Sequence, residues 1–379
     1  MSSGCNPSTA DTYSRENLDV FRFNLTITEL AVLDHIQDRP PATPLALKTD
    51  ETLATLCGEF SLSDGGRVLV QPGGGPDTLR IRVVPQDSGG FRDDLPSALP
   101  SNGSSSSNSS SSSSSSSNIF CATKLSSGQP FRSGNVRVMA RGDQTLLVER
   151  VSDGQQLFHT TSPIAWTPAS ISGVRVNIAS LELGSPPDPV FGLGQHHDPT
   201  LREYNLLPDN GETTIPLMHW PLAGATLLIN VPSAGKLFTK PGSVSWQSEA
   251  CLQLDLWIAT TSGTPPSAAT SIAAAGSWPE LLRKYVRATG HPAALPAWTT
   301  GFIQSKDRYD SQQVVENVSA GFASRQLPLS MLVIDWQSWA PAPRGDERFG
   351  SSFPDPKSMV AALASKQVQL MVSPYLPPG

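Results

Sequence analysis

The chain has 379 residues and a formal net charge of −6, with 27 Lys and Arg against 33 Asp and Glu. That balance excludes a basic surface made for nucleic acid or anionic lipid, and no apolar run approaches the roughly 18 residues that a membrane span requires. With 16% charged residues but 34 Pro and 30 Gly, the composition suits a turn-rich β protein better than a helical bundle.

In chain order, residues 1–19 come first and are expected to be disordered. Their start, Met1-Ser-Ser-Gly-Cys-Asn-Pro-Ser, has no basic segment followed by an apolar core, so no secretory leader is read there. Cys5, Cys57, Cys121 and Cys251 are scattered. Their spacing matches no zinc or redox motif, and they read as isolated reduced thiols. Asn24-Leu25-Thr26 and Asn317-Val318-Ser319 are N-glycosylation triplets; without a leader they read as chance matches.

Residues 20–265 show short β-type runs broken by Gly, Pro, Asp and Asn, among them 68–71, 79–84, 136–140, 145–151, 225–231 and 252–258. Several alternate apolar and polar residues, the pattern of a half-buried antiparallel strand. Many such strands predict a β-sandwich. Ser101 to Asn118 is an almost unbroken Ser/Asn/Gly tract with nothing apolar to bury. It is expected to be a disordered insertion between strands, not a linker between domains.

Residues 266–297 form a connecting segment. Within it Ser277-Trp278-Pro279-Glu280 predicts a capping-box start, Leu281, Leu282, Tyr285 and Val286 follow at helical spacing, and Gly290 is the stop. From 298 to 379 the chain alternates strand and helix. The first strand is read at Thr300–Gln304. Asp310–Gln313 caps a helix with Val314, Val318 and Phe322 on one face. Leu332–Trp336 is an apolar strand ending in an acid, as in a parallel sheet buried on both sides. Asp355-Pro356 starts a second helix with Met359, Val360 and Leu363 inward, and Gln369–Ser373 is a third strand. A full (β/α)₈ barrel needs about 250 residues. The expected architecture is therefore α+β and multidomain: a β-sandwich, then the first three strands of an incomplete barrel, truncated relative to its parent.

Barrel enzymes place their chemistry at the C-terminal ends of the strands. Those positions offer Lys306 and Asp307, Asp335 and Trp336, and Ser373 and Tyr375. Asp335 is the sharpest candidate, because a carboxylate closing an apolar strand is costly to desolvate unless something binds it. The competing reading is a structural pairing with a nearby Arg or Lys. Trp336 and Trp339 could wall a sugar ring or simply pack under a loop. Lys306, Asp307 and Arg308 could form a polar cluster or a solvated loop.

These residues carry a resemblance. The stretches Trp298–Gln312, Arg325–Trp339 and Phe353–Val360 leading into Leu370–Ser373 resemble glycoside hydrolase family 31, the α-glucosidase and α-xylosidase family. Upstream, Phe191-Gly192-Leu193-Gly194-Gln195-His196 is similar to the family's glycine-rich entry motif, and 210–216 and 225–235 to the strands that follow it. The resemblance implies a sandwich ahead of a barrel and retaining hydrolysis of an α-linked glucose or xylose. It implies no cofactor and no metal. Both catalytic aspartates would sit on the fourth and sixth strands, so Asp307 and Asp335 are not the catalytic pair. Asp335 matches the aspartate that holds hydroxyls of the non-reducing sugar, and Trp336 its neighbour in the subsite. Asn210, or else Asp209, matches a sandwich loop reaching over the pocket. Asp307 stands where the family often has an aromatic residue. The carbohydrate substrate is the expected partner; a non-catalytic or degenerate sugar-binding protein is the alternative.

Overall fold

The computed structural model describes residues 57–99, 118–119, 121, 123–198, 202–206, 213–265, 277–340, 342 and 348–373. The N-terminal residues, most of the serine tract (101–117), Asp209, Asn210 and Tyr375 lie outside the described residues. The chain divides into two compact units, Met1–Thr289 and Gly290–Gly379.

The first unit is built on two large antiparallel-dominated sheets. One has eight strands, in the order Phe191–Gln195, Thr213–Trp220, Ala225–Ile229, Leu254–Thr260, Thr78–Val84, Arg67–Pro72, Gly58–Ser61 and Lys124–Leu125. The other has nine and is centred on the eleven-residue strand Val174–Gly184, which pairs with Ser243–Cys251, Gln156–Thr160 and Ala165–Ile171. Side chains alternate across each strand. Leu79, Ile81 and Val83 thus join Val136, Val138, Leu181, Leu227, Leu256 and Trp246 in one core cluster.

The alternate residues of Thr78–Val84 are Arg80 and Arg82, and both are buried. Their face of the sheet is covered as well. Leu99, Leu228, Trp257, Leu281 and Ala288 pack there, so the helix Trp278–Thr289, read from sequence as part of a connecting segment, lies against the first unit's sheet. Leu69, Val84, Phe91 and Cys121 form a second cluster. The buried cations are neutralised in place. Arg80 forks onto Asp255 (Nε–Oδ1 3.0 Å, Nη2–Oδ2 2.7 Å), which also accepts from Asn230 Nδ2 at 2.6 Å. Arg82 Nη2 lies 2.7 Å from Asp93 Oδ1. A buried charge is tolerated only when paired in this way.

Several sequence readings need correction. Cys57 and Cys121 form a disulfide, so they are not reduced thiols; Cys251 is free and buried. The pairing joins residues 64 positions apart, a proximity set by tertiary structure that no spacing motif reports. The capping box at Ser277 is not made. Ser277 donates to the Pro221 carbonyl, while Glu280 accepts from Ser262 and Lys284. In the second unit, Val360 is 46% exposed and does not face inward. A small antiparallel pair, Phe91–Arg92 with Asn118–Ile119, flanks the segment that contains the serine tract.

The second unit contains a three-stranded parallel sheet, Ile303–Arg308, Met331–Trp336 and Gln369–Val372, in that spatial order. Two helices follow the first and second strands. Gln312–Ser324 is capped by Ser311, whose side chain accepts from Val314 N; Asp310 is not the cap. Pro356–Ala364 is capped by Asp355, which accepts from Ser358 N at 2.9 Å. Their buried faces, with Val315, Met359 and Leu363, pack on Leu332 and Ile334 of the sheet.

Candidate functional site

The parallel sheet decides where each candidate side chain goes. Across the first two strands Lys306 is paired with Ile334 and Arg308 with Trp336. Asp307 therefore stands directly beside Asp335, on neighbouring strands about 4.8 Å apart. Alternation puts Leu332, Ile334 and Trp336 on the helix-covered face, together with Lys306 and Arg308. Met331, Val333 and Asp335 share the opposite face with Ile303, Ser305 and Asp307. The two carboxylates are brought together at the C-terminal edge of the sheet, while Trp336 starts from the other side.

Asp335 is half-buried and Asp307 exposed. Among the described residues, no hydrogen bond or ion pair reaches either carboxylate. Two neighbouring cations are engaged elsewhere. Lys306 Nζ lies 4.9 Å from the centre of the Tyr309 ring. Arg308 contacts Asp310 (Nε–Oδ1 3.4 Å) and donates to Gln337 Oε1 at 3.3 Å. Among the described residues, Asp335 thus has no structural pairing and faces the same way as a second carboxylate.

Trp339 is buried, at 5% exposure, and offers no open face for a sugar; Trp336 is half-buried. Ser373 follows the third strand, and its backbone N–H donates to the Ile334 carbonyl at 3.0 Å, holding the strand ends level. Sequence reasoning passed over Gln337. It turns the chain away from Asp335 and Trp336 with a φ of +58°, a conformation costing on the order of 1 kcal/mol for a residue with a side chain. Glutamine at that position gives no signal of such a turn. Among the described residues no group of three or more His, Cys, Asp or Glu is placed to hold a metal ion.

The glycine-rich motif of the first unit also acquires a reason. Gly192, Leu193 and Gly194 all have positive φ (+105°, +68° and +94°), and the register with Thr213–Trp220 shifts between Gly192 and Gly194. A β-bulge of this kind bends a strand near its end. The bend carries Gln195 and His196 onward, with the His196 ring 4.9 Å from that of Tyr204.

Comparison with known proteins bears on this arrangement. Residues 292–378 match the profile of the glycosyl hydrolases family 31 TIM-barrel domain. An uncharacterized family 31 glucosidase of Pseudescherichia vulneris is 33% identical over 189 residues, which is 48% of this chain and 32% of that protein. The α-xylosidase of Saccharolobus solfataricus is 34% identical over 95 residues, 25% of this chain and 13% of the relative. Among solved structures, a xylosidase from Aspergillus niger superposes with a TM-score of 0.64 at 21% identity, a likeness of fold, over 83% of this chain and 44% of that one. A family 31 α-xylosidase from a soil metagenome, solved in complex with xylose, gives a TM-score of 0.60 at 26% identity, over 82% and 44%. The chain thus spans less than half the length of these solved relatives.

Proposed function

We propose, from the premise that the chain belongs to glycoside hydrolase family 31, that it forms the sugar-gripping portion of a retaining α-glycosidase acting on terminal α-linked glucose or xylose. In this reading the sandwich occupies 20–265, the segment 266–297 connects, and a (β/α)₈ barrel opens at 298. The observation that carries the proposal is Asp335: a half-buried carboxylate at the C-terminal end of a parallel strand, with no internal partner among the described residues.

An ionised carboxylate can accept two hydroxyl hydrogen bonds at once, and such charge-assisted bonds are worth about 1.5–3 kcal/mol each. Asp335 is assigned the hydroxyls of the non-reducing sugar. Asp307, on the same face, adds a second acceptor where an aromatic side chain is common in the family. Trp336, which starts from the opposite face, is assigned the subsite's edge; Asn210 and Asp209, the other residues the resemblance names, lie outside the described residues. The bond-breaking step is assigned to other carboxylates. A retaining mechanism sets its nucleophile and acid/base about 5–5.5 Å apart on opposite sides of the scissile bond. Asp307 and Asp335, side by side in one sheet, present themselves from the same side.

The test is sugar binding to the intact chain, followed by saturation-transfer NMR with xylose and glucose. Asp335→Ala is expected to weaken binding on the order of 100-fold, the equivalent of about 3 kcal/mol, with the thermal unfolding midpoint unchanged. Equal binding by the variant would sink the assignment. Asp335→Asn, which keeps the shape and loses the charge, should fall between the two.

A further inference from the structure

The disulfide changes how one sequence motif is read. Cys57 and Cys121 are bonded in the first unit. Forming that bond removes two electrons and two protons from a pair of thiols and passes them to a disulfide oxidant. Such oxidants act in secretory and extracytoplasmic compartments, whereas cytosolic thiols are kept reduced. The glycosylation triplets read as chance matches only because nothing placed the chain in such a compartment. Asn24 lies outside the described residues, and Asn317 lies within them.

Asn317 sits midway along the helix Gln312–Ser324. Val315 and Ser319 are the buried residues of that helix. Gln313, Asn317, Ala320 and Ser324 are exposed. The side-chain amide of Asn317 is oriented by its neighbour one turn earlier: Gln313 Nε2 donates to Asn317 Oδ1 at 3.0 Å. That bond occupies the oxygen. The nitrogen, Nδ2, has no partner among the described residues. The Ser319 hydroxyl, which completes the triplet, is buried, at 1% exposure, and has no hydrogen-bond partner there. A buried hydroxyl left unsatisfied is destabilising by about 1–3 kcal/mol, so folding alone gives no reason for a serine at this position.

We propose that Asn317 is an N-glycan acceptor, modified while the chain is still extended in an oxidising compartment. An oligosaccharyl transferase can read the Ser319 hydroxyl only before the helix packs. In the transfer, the bond from Nδ2 to the anomeric carbon of the first sugar forms. A lipid-linked oligosaccharyl pyrophosphate donor loses its lipid pyrophosphate, and one amide proton passes to a base on the transferase. The glycan then projects from the exposed face of the folded helix, and the Gln313 bond to Oδ1 survives unaltered.

The experiment uses the full protein purified from the organism that makes it. The peptide spanning 312–325 is expected to carry a hexosamine-based glycan, and amidase release in heavy-oxygen water should convert Asn317 to Asp with one heavy oxygen incorporated. Re-expressed in the same organism, Ser319→Ala should lose the glycan, whereas Ser319→Thr should keep it. Denaturing alkylation without reductant should leave Cys57 and Cys121 unlabelled. An unmodified Asn317 in the native protein overturns the proposal, and so does labelling of both cysteines without reductant, because the compartment argument then fails.

Discussion

His219 shows what burial does to a titratable side chain in this sandwich. It is 4% exposed, shares a 2.9 Å hydrogen bond between Nδ1 and Thr226 Oγ1, and lies 4.8 Å from the Trp278 ring. Burial pushes its pKa down to about 4, against about 6.5 in an unfolded chain. Between those values the unfolded state binds more protons than the native one. The stability tied to a neutral His219 is therefore complete above about pH 6.5 and is lost as pH falls towards 4, about 3 kcal/mol in all. A His219→Phe variant should show a shallower decline of its thermal midpoint between pH 7 and pH 5 than the parent chain. Parallel pH profiles would show that His219 is not the titrating group. Cys251 shows the same physics with the opposite sign, its thiol pushed up to about 12 by burial, which leaves it inert as a nucleophile.

Among the elements, the bulged strand Phe191–Gln195 is sensitive to side-chain bulk. A Cβ at Gly194 would meet the Thr213 carbonyl oxygen at 2.0 Å, on a backbone already at φ +94°. Gly194→Ala is expected to destabilise the first unit by more than about 2 kcal/mol. Gly89→Ala, where an added Cβ meets nothing within 4 Å, should be nearly neutral. Thermal unfolding of the pair measures the contrast. The elements were legible in sequence where the signal was local. Asp355-Pro356 announces its helix because a carboxylate and a proline suit the first turn, and Leu332–Trp336 announces a buried parallel strand by its apolar run. Asp335 stood out for the same reason. What could not be read depended on neighbours distant in sequence. Ser277 gave up its cap to Pro221, and Cys57 found Cys121. Nor could sequence foresee that Lys306 and Arg308 would turn from Asp307 and Asp335, because the register of two strands decides it.

At the scale of the whole molecule, each unit carries its own core cluster: the sandwich's is spread over both its large sheets, and the second unit's lies between its parallel sheet and two helices. The first unit's large sheet is also covered on its second face, which is why two arginines of one strand are buried there. Asp77 extends that cover. It accepts from Asn135 N, Ser262 Oγ and Lys284 Nζ. Burial raises its pKa, but the hydrogen bonds from Lys284, Ser262 and Asn135 outweigh this and hold it below the usual carboxylate range. Stability from this site is accordingly present at neutral pH and lost as pH falls below the unfolded value near 4.

The short ladder between Phe91–Arg92 and Asn118–Ile119 has a consequence for variation in length. A change in the length of the serine run is harmless only where the flanking chain does not register it. Here the strands that flank the longer segment 93–117 are paired with each other. Closing a segment between pinned ends depends on the logarithm of its length, about 0.6 kcal/mol for a doubling. Removing half of the serines from 104–117 should therefore move the unfolding midpoint by no more than a degree or two, as calorimetry of the two lengths would show. The paired strands on either side of the tract thus limit how far its length bears on the stability of the first unit.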